Sequence, residues 1–503
     1  MSHDSEAAYA SGEIADIIQG KAGLFFGKLT SGGTWTLSAG REGSTVWPLA
    51  DGLIQAKNSK STVKDVNIAF EYKRPNEGVH GILTAIGQSL AYIEKGYDAS
   101  VICIPKGYTS HADPGAHVRN IIDTTAPNAP ITVYTYDAPN MANTRPFNQK
   151  ITCVKDIDLS KTVIYRSTSS KKISGQISTI WAHVREGMSH PDAFFRYCQG
   201  VKIISSVGED KSKYVLPKEV VAAVKRADPT ADPCMYLSNT SGDSMSDKAW
   251  RYIWYNYYFW DMLIPIYSST APYVPNDIET KIRIDSNTKQ KLFSGRCDSI
   301  KSKLVDKLNT VAGYTEDEAW DEYVYRVRSD AHSYREVIDS GLYQIGLLDA
   351  DGLLTDYGYK YVDACEKAGN DPYKDEPMNI LRAVSINIGQ FDVFLYTAYK
   401  HSQQRFLGNF DDFTRIKKLK NGDKVEFISN DYLVWLDDVL TNQLHMYKKT
   451  TQRAGGTRKP FQAEMSYLKK LGFIYNNEAF KRGTGLNIDW PLVEESLKYF
   501  QNL

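Results

Sequence analysis

Three residues in the first part of the chain have the types and spacing needed for phosphodiester chemistry. Asp51 lies in VWPLADGLIQ, and Glu71 and Lys73 lie in VNIAFEYKRP. Side chains alternate along a strand, so positions 71 and 73 of a strand point the same way. A neighbouring strand can bring Asp51 beside them. Two carboxylates and an ammonium then meet at one spot. Mg²⁺ takes oxygen ligands and commonly uses one or two carboxylates, with water and phosphate oxygens completing its shell. Such an ion, with Mn²⁺ as its expected substitute, polarises the phosphoryl group and lowers the pKa of bound water. The backbone carbonyl of Tyr72 lies between the two strand residues and is a further candidate ligand. Lys73 can orient or deprotonate the attacking water, or stabilise the charge that builds on phosphorus.

Glu-x-Lys alone is a common pattern on solvated sheet faces, where it forms ion pairs. Three features set this instance apart. Asp51 precedes it at a workable distance and is followed by Gly52, as at a strand start. Arg74-Pro75 ends the strand just after Lys73. The next helix carries Gln88 and Tyr92, four residues apart on one face. Asp65 is the alternative first acid, but it stands only six residues before Glu71, in a Lys-rich turn. His80, at the start of that helix, reads as a capping or packing residue that could also touch a phosphate.

The elements that must position these groups are legible. Residues 5–30 begin as a helix. TWTLSA, from Thr34, alternates like a strand, and VWPLADGLIQ and VNIAFEYKR follow as two more. In GVHGILTAIGQSLAYIEKG, the apolar Ile82, Ile86, Leu90 and Ile93 recur at helical spacing, with Gly96 as the stop. VICIP and ITVYTYD are short buried strands. The expected fold is an α/β N-terminal domain with a mixed central sheet flanked by helices.

LADGLI, AFEYKRP and the helix GQSLAY together resemble the PD-(D/E)xK nuclease superfamily over roughly residues 10–140. The resemblance implies that Asp51 and Glu71 are metal-binding acids and Lys73 the catalytic lysine. Ala50 stands where the adjacent proline is usual, and Pro48 lies three residues before the acid. Gln88 and Tyr92 look like the QxxxY pair that some branches carry, and the resemblance makes Gln88 a catalytic candidate. Glu13 and Tyr92 are auxiliary candidates, Glu13 as an additional acid in the first helix.

Three consecutive domains are expected: a nuclease-like domain at 1–165, a helical middle at 166–330, and a recognition region at 331–503. The middle holds AWRYIWYNYYFWDMLIPIY, whose Trp250, Trp254 and Tyr258 share a helical face. Dense aromatics of this kind belong to a core or an interface more often than to a pocket for an unstacked base. Two later segments, from Tyr334 and from Glu464, read as helix, short strand, turn, strand. That is a winged-helix pattern, and equally an ordinary helical domain with a hairpin. Basic loops around Arg415, Lys417 and Lys418 and around Lys448, Lys449, Arg453, Arg458 and Lys459 are candidates for phosphate contact, or plain solvated loops. A third and weaker candidate, SSKKISGQ near Ser169, could be a linker.

Composition limits the reading. Lys+Arg and Asp+Glu are both 60, so the chain is neutral and any DNA contact must come from local basic patches. The six cysteines are widely spaced without a CxxC pair, which argues against a zinc finger or a disulfide framework. Reduced thiols point to a cytoplasmic protein. The polar N-terminus does not read as a signal peptide, and no apolar run suits a membrane span. The expected activity is Mg²⁺-dependent cleavage of double-stranded DNA by a type II-like or modification-dependent restriction or phage-defence endonuclease, acting as a homodimer. Repair or end-processing nucleases are the alternative, a direction in which the Gln88–Tyr92 helix is commoner. No GxxxxGK[ST] motor motif occurs. A third alternative is a DNA-binding protein whose nuclease fold is inert.

Overall fold

The computed structural model describes residues 3–27, 33–42, 47–108, 111–137, 150–159, 177–178, 180–184, 189–214, 216, 218–259, 310–405, 434, 436–446, 461–474, 480–481, 485–486 and 488–503. The chain forms two compact units. The first takes Met1–Ala182, Gln390–Gln462 and Gly472–Leu497; the second takes His183–Gly389, Ala463–Leu471 and Lys498–Leu503. The units therefore do not follow three consecutive segments ending at 165 and 330. The chain returns to the first unit after residue 389, where the helix Phe391–Arg405 packs beside the N-terminal helix. There the Ser5 hydroxyl donates to the buried Asp392 carboxylate.

The first unit is built on a mixed sheet. Its strands are β1 (Trp35–Glu42), β2 (Gly52–Asn58), β3 (Val66–Tyr72), β4 (Ala99–Pro105), β5 (Ile131–Tyr136) and β6 (Ile151–Lys155). A two-residue strand, β7 (Ile177–Ser178), pairs with the outer edge of β1. The spatial order is β6-β5-β4-β3-β2-β1-β7. β1, β2 and β3 form an antiparallel meander; β3, β4 and β5 are parallel, and β6 is antiparallel to β5.

Helices cover both faces. α1 (His3–Gly20) buries Ala7, Ala10, Ile14 and Ile18, a stripe at helical spacing, against Phe70, Tyr72, Val101 and Tyr134. α2 (Gly78–Lys95) and α3 (Pro114–Thr125) cover the other face through Ile82, Ala85, Val118 and Ile122, packed on Ile102, Ile104 and Val133. β4 and β5 are buried along their whole length, as parallel strands between two helical layers must be. α2 stops at Gly96, as its sequence predicts. Gly96 takes φ 113°, a left-handed conformation that glycine adopts without a steric penalty.

The second unit is helical. Its longest helices are Pro191–Val207, Glu316–Gln344, Asp356–Lys367 and Asp375–Asn387. Trp250 and Trp254 are buried there, with indole rings stacked at 5.3 Å. Their ring N–H groups donate to the Ser238 and Leu237 carbonyls at 3.0 and 2.9 Å. These two rings are core, so a flipped-base pocket is not built from them. The Tyr258 side chain lies outside the described residues.

The segment from Tyr334 runs helix, antiparallel bridge Leu348–Leu354, helix. The segment from Glu464 runs helix, bridge Ile474–Ile488, a hairpin of β8 (Phe480–Lys481) and β9 (Gly485–Leu486), and the helix Trp490–Gln501. The first has a single bridge where two short strands are expected, and only the second forms a two-stranded hairpin. The second is divided between the two compact units and is not a separate body. No helix among the described residues is long and apolar enough to cross a membrane.

Candidate active site

β2 and β3 set the site. Gly52 pairs with Phe70 across the antiparallel ladder, so the next step outward places Asp51 opposite Glu71. Directly opposed residues share a sheet face, and Lys73 follows Glu71 onto it by strand alternation. Phe70 and Tyr72 point the other way, into the core under α1. The Asp51 carboxylate is anchored by the backbone, with Oδ2 accepting from the Tyr72 N–H at 2.8 Å. Glu71 is fully buried. Its Oε1 has the Lys73 Nζ at 2.6 Å, and Lys73 also lies 3.7 Å from Glu77.

α2 closes the site from the same side. Gly81, Ala85, Gln88 and Tyr92 recur at helical spacing on its inner face. The Tyr92 hydroxyl donates to Glu71 Oε2 at 2.5 Å and lies 2.9 Å from the Leu49 carbonyl. Gly81 permits the close approach of the helix start. A Cβ there would meet Glu77 Cβ at 2.6 Å and Lys73 Cδ at 3.6 Å. One turn before Tyr92, Gln88 has a buried side-chain oxygen with no hydrogen-bond partner in the protein. A buried unsatisfied carbonyl is costly. It lies one turn from Tyr92 along α2, where it can accept a hydrogen bond from water.

Burial and crowding shape the charges. Desolvation and the nearby Asp51 push Glu71 up to about 7, against the opposing pull of Lys73 and Tyr92. Burial also raises the Asp51 carboxyl. Burial works against the Lys73 ammonium, but the hydrogen bond and charge of Glu71 outweigh it and hold Lys73 above its usual value. Lys73 is therefore a cation at rest.

His3 is the site residue that sequence reading missed. Its Nε2 lies 3.1 Å from the Tyr72 carbonyl, 4.0 Å from Asp51 Oδ2 and 3.8 Å from Glu77 Oε1. Burial disfavours the imidazolium, yet Asp4, Asp51 and the Tyr72 carbonyl push the His3 pKa up to about 9. No spacing rule finds a histidine in a polar N-terminal stretch. Only the packing of α1 over β3 brings it to the Tyr72 carbonyl.

The other sequence candidates fall elsewhere. Glu13 accepts from the Tyr9 hydroxyl at 2.6 Å. It is ten residues beyond His3 on α1, which is about 15 Å along a helix. Glu6 is the α1 acid that meets the strand end, 2.7 Å from Arg74 Nε. Asp65 precedes the first residue of β3, so roughly 20 Å of strand separates it from Glu71. Asp51, opposite Glu71, is the acid the register favours. His80 is exposed in the first turn of α2, and its carbonyl accepts from the Thr84 hydroxyl. The basic candidates Arg415, Lys417, Lys418, Lys448, Lys449, Arg453, Arg458 and Lys459, and the Ser169 segment, lie outside the described residues.

The oxygen donors available to a cation are the Asp51 and Glu71 carboxylates and the Tyr72 carbonyl, which also faces the His3 Nε2. Among the described residues there is no group of three or more His, Cys, Asp or Glu side chains gathered as a metal site. Two carboxylates and a carbonyl are all oxygen donors, and this is a set that Mg²⁺ accepts. The chain matches no protein-family model and no curated protein.

Proposed function

We propose that the first unit is a Mg²⁺-dependent deoxyribonuclease that hydrolyses phosphodiester bonds in double-stranded DNA, of restriction or phage-defence type. One observation carries the reading. Asp51 stands opposite Glu71 across β2 and β3, and Lys73 Nζ lies 2.6 Å from Glu71. A purely structural ion pair needs no second acid in register with it. A phosphodiesterase does, because the metal needs oxygens and the phosphoryl group needs a cation.

Asp51, Glu71 and the Tyr72 carbonyl would hold Mg²⁺, with Mn²⁺ as substitute. Bound there, the metal would supply Lewis acidity and an activated water. Tyr92 fixes the Glu71 carboxylate by donating to Oε2. That leaves Oε1 to face Lys73 and the incoming charge. Lys73, held as an ammonium, stabilises negative charge on the phosphoryl oxygens. To act as a base it must first lose that proton. Gln88, with its free buried carbonyl, is suited to receive a hydrogen bond from water and orient it.

Recognition would fall to the basic segments around Arg415 and Lys448 and to the segments from Tyr334 and Glu464, read as winged-helix units that enter the major groove. A homodimer would supply the second active site that double-strand cutting needs. A repair or end-processing activity is the second reading. The bond between Tyr92 and Glu71 favours it, because it ties the Gln88–Tyr92 helix directly to the acid.

Closed circular plasmid and linear duplex, each incubated with Mg²⁺ and with EDTA, separate these outcomes. Discrete linear products from the circle support an endonuclease of restriction type. Degradation of the linear duplex alone supports end processing. Intact DNA in both, with Mg²⁺ and Mn²⁺ present, overturns the nuclease reading.

A further inference from the structure

We propose that Trp47 is a substrate-binding residue, stacking on a nucleobase next to the phosphodiester bond that is cut. The inference rests on the nuclease reading above and adds the contact that seats the DNA. Trp47 is 79% exposed, and Leu49, two residues on, is 49% exposed. The other described tryptophans, Trp35, Trp181, Trp250, Trp254, Trp320 and Trp490, are all buried. An indole carries a large apolar face, and burying it is favourable. An indole left in water beside a reactive site is surface waiting for a partner.

The exposure is not that of a slack loop. Two hydrogen bonds, from Lys95 and to Glu42, hold the backbone that follows Trp47, and the Tyr92 hydroxyl stands against it. Lys95 Nζ donates to the Pro48 carbonyl at 2.6 Å. The Tyr92 hydroxyl lies 2.9 Å from the Leu49 carbonyl. The Ala50 N–H donates to Glu42 Oε2 at 2.8 Å, and Lys95 holds the other Glu42 oxygen at 3.1 Å. A surface fixed before binding costs less entropy to use.

The position names the occupant. This stretch leads straight into Asp51, and the Tyr92 hydroxyl that meets Leu49 also meets Glu71. A phosphodiester held at Asp51 and Glu71 therefore brings its flanking bases past Trp47 and Leu49. Every base has a π-face, so an indole stacks on any of them. A neighbouring apolar side chain such as Leu49 can wedge beside the unstacked step.

The test is binding and cleavage by Trp47→Ala and Trp47→Phe. Affinity for a short fluorescein-labelled single strand and its duplex is read by anisotropy in EDTA, where cutting does not compete. Stacking predicts that Trp47→Ala weakens binding by about 5- to 150-fold, the span of a base–aromatic stack. Trp47→Phe should restore most of it. With Mg²⁺, KM should rise in Trp47→Ala while kcat stays within a few-fold. Unchanged affinity in Trp47→Ala, with wild type still cutting DNA, overturns the role of Trp47 and leaves the nuclease reading standing. Loss in Trp47→Ala that Trp47→Phe fails to restore overturns stacking. A wild type that neither binds nor cuts DNA overturns both.

Discussion

The Tyr92 hydroxyl donates to Glu71 Oε2 at 2.5 Å and lies 2.9 Å from the Leu49 carbonyl. One phenol thus ties a helix to an acid on β3 and to the loop that delivers Asp51. Tyr92→Phe keeps the ring and removes the tie. Glu71 is fully buried, so its Oε2 would lose a partner it cannot replace with bulk water. Stability should fall by ~1–3 kcal/mol, measured by urea unfolding, and cleavage should slow by about tenfold or more. Unchanged cleavage in a folded Tyr92→Phe protein would mean that the phenol does not position Glu71 for chemistry.

The Glu71 carboxyl, pushed up to about 7, gives metal binding a pH dependence. A ligand carboxylate must be deprotonated, so below that value Mg²⁺ has a proton to displace. Affinity should therefore rise with pH between about 6 and 8, with proton release on binding. Calorimetry in two buffers of different ionisation enthalpy reads both. The sign for stability is opposite. The folded state holds this proton more tightly than the unfolded chain, whose glutamate titrates near 4.5. That contribution is full below the unfolded value and is lost as pH rises through about 7. Mg²⁺ affinity that is flat across this window would contradict a Glu71 carboxyl raised by burial and by Asp51.

His3, raised to about 9, has a different window. Its stabilisation is fully present below the unfolded value of 6.5 and is lost as pH rises through about 9. His3→Gln should therefore be less stable than wild type near neutral pH, and the two should converge above about pH 9. A constant gap across that range would show that the imidazolium does not interact with Asp4 and Asp51.

In the second unit, the buried Arg251 is paired with the equally buried Glu209, Nη2 to Oε2 at 2.7 Å and Nε to Oε1 at 2.7 Å. Its N–H groups also reach the Gly242 carbonyl, the Thr240 hydroxyl and the Asp243 carboxylate, the last at 3.1 Å. Removing one partner strands a buried charge. Arg251→Met should cost about 3–5 kcal/mol, read by chemical denaturation. A loss below about 1 kcal/mol would show that water reaches the pair.

Much of this site could be read before the structure, for reasons tied to particular residues. Strand alternation fixed Glu71 and Lys73 on one face, and that inference needed only local geometry. The antiparallel register that sets Asp51 opposite Glu71 was not legible, because residues 59–65 between β2 and β3 are too long a connection to fix it. The Tyr92 contact needed only that the inner face of α2 rest on the sheet. His3 could not be found, because a helix laid across a sheet is a long-range relationship with no periodicity of its own. The division into two units was hidden for the same reason. Nothing in FDVFLYTAYK, from Phe391, says that this helix returns to pack beside α1. Trp250 and Trp254 were legible as core only in the sense that dense aromatics usually are. Their ring N–H partners, Ser238 and Leu237, settle it.

The central claim is that Asp51, Glu71 and Lys73 form one phosphodiester-cleaving site. Plasmid cleavage in Mg²⁺ by wild type, Glu71→Ala and Lys73→Ala tests it most directly, with circular dichroism showing that each variant is folded. The account predicts cleavage by wild type that stops in EDTA, and rates at least about 100-fold lower in both variants. Equal cleavage by wild type and both folded variants would contradict it.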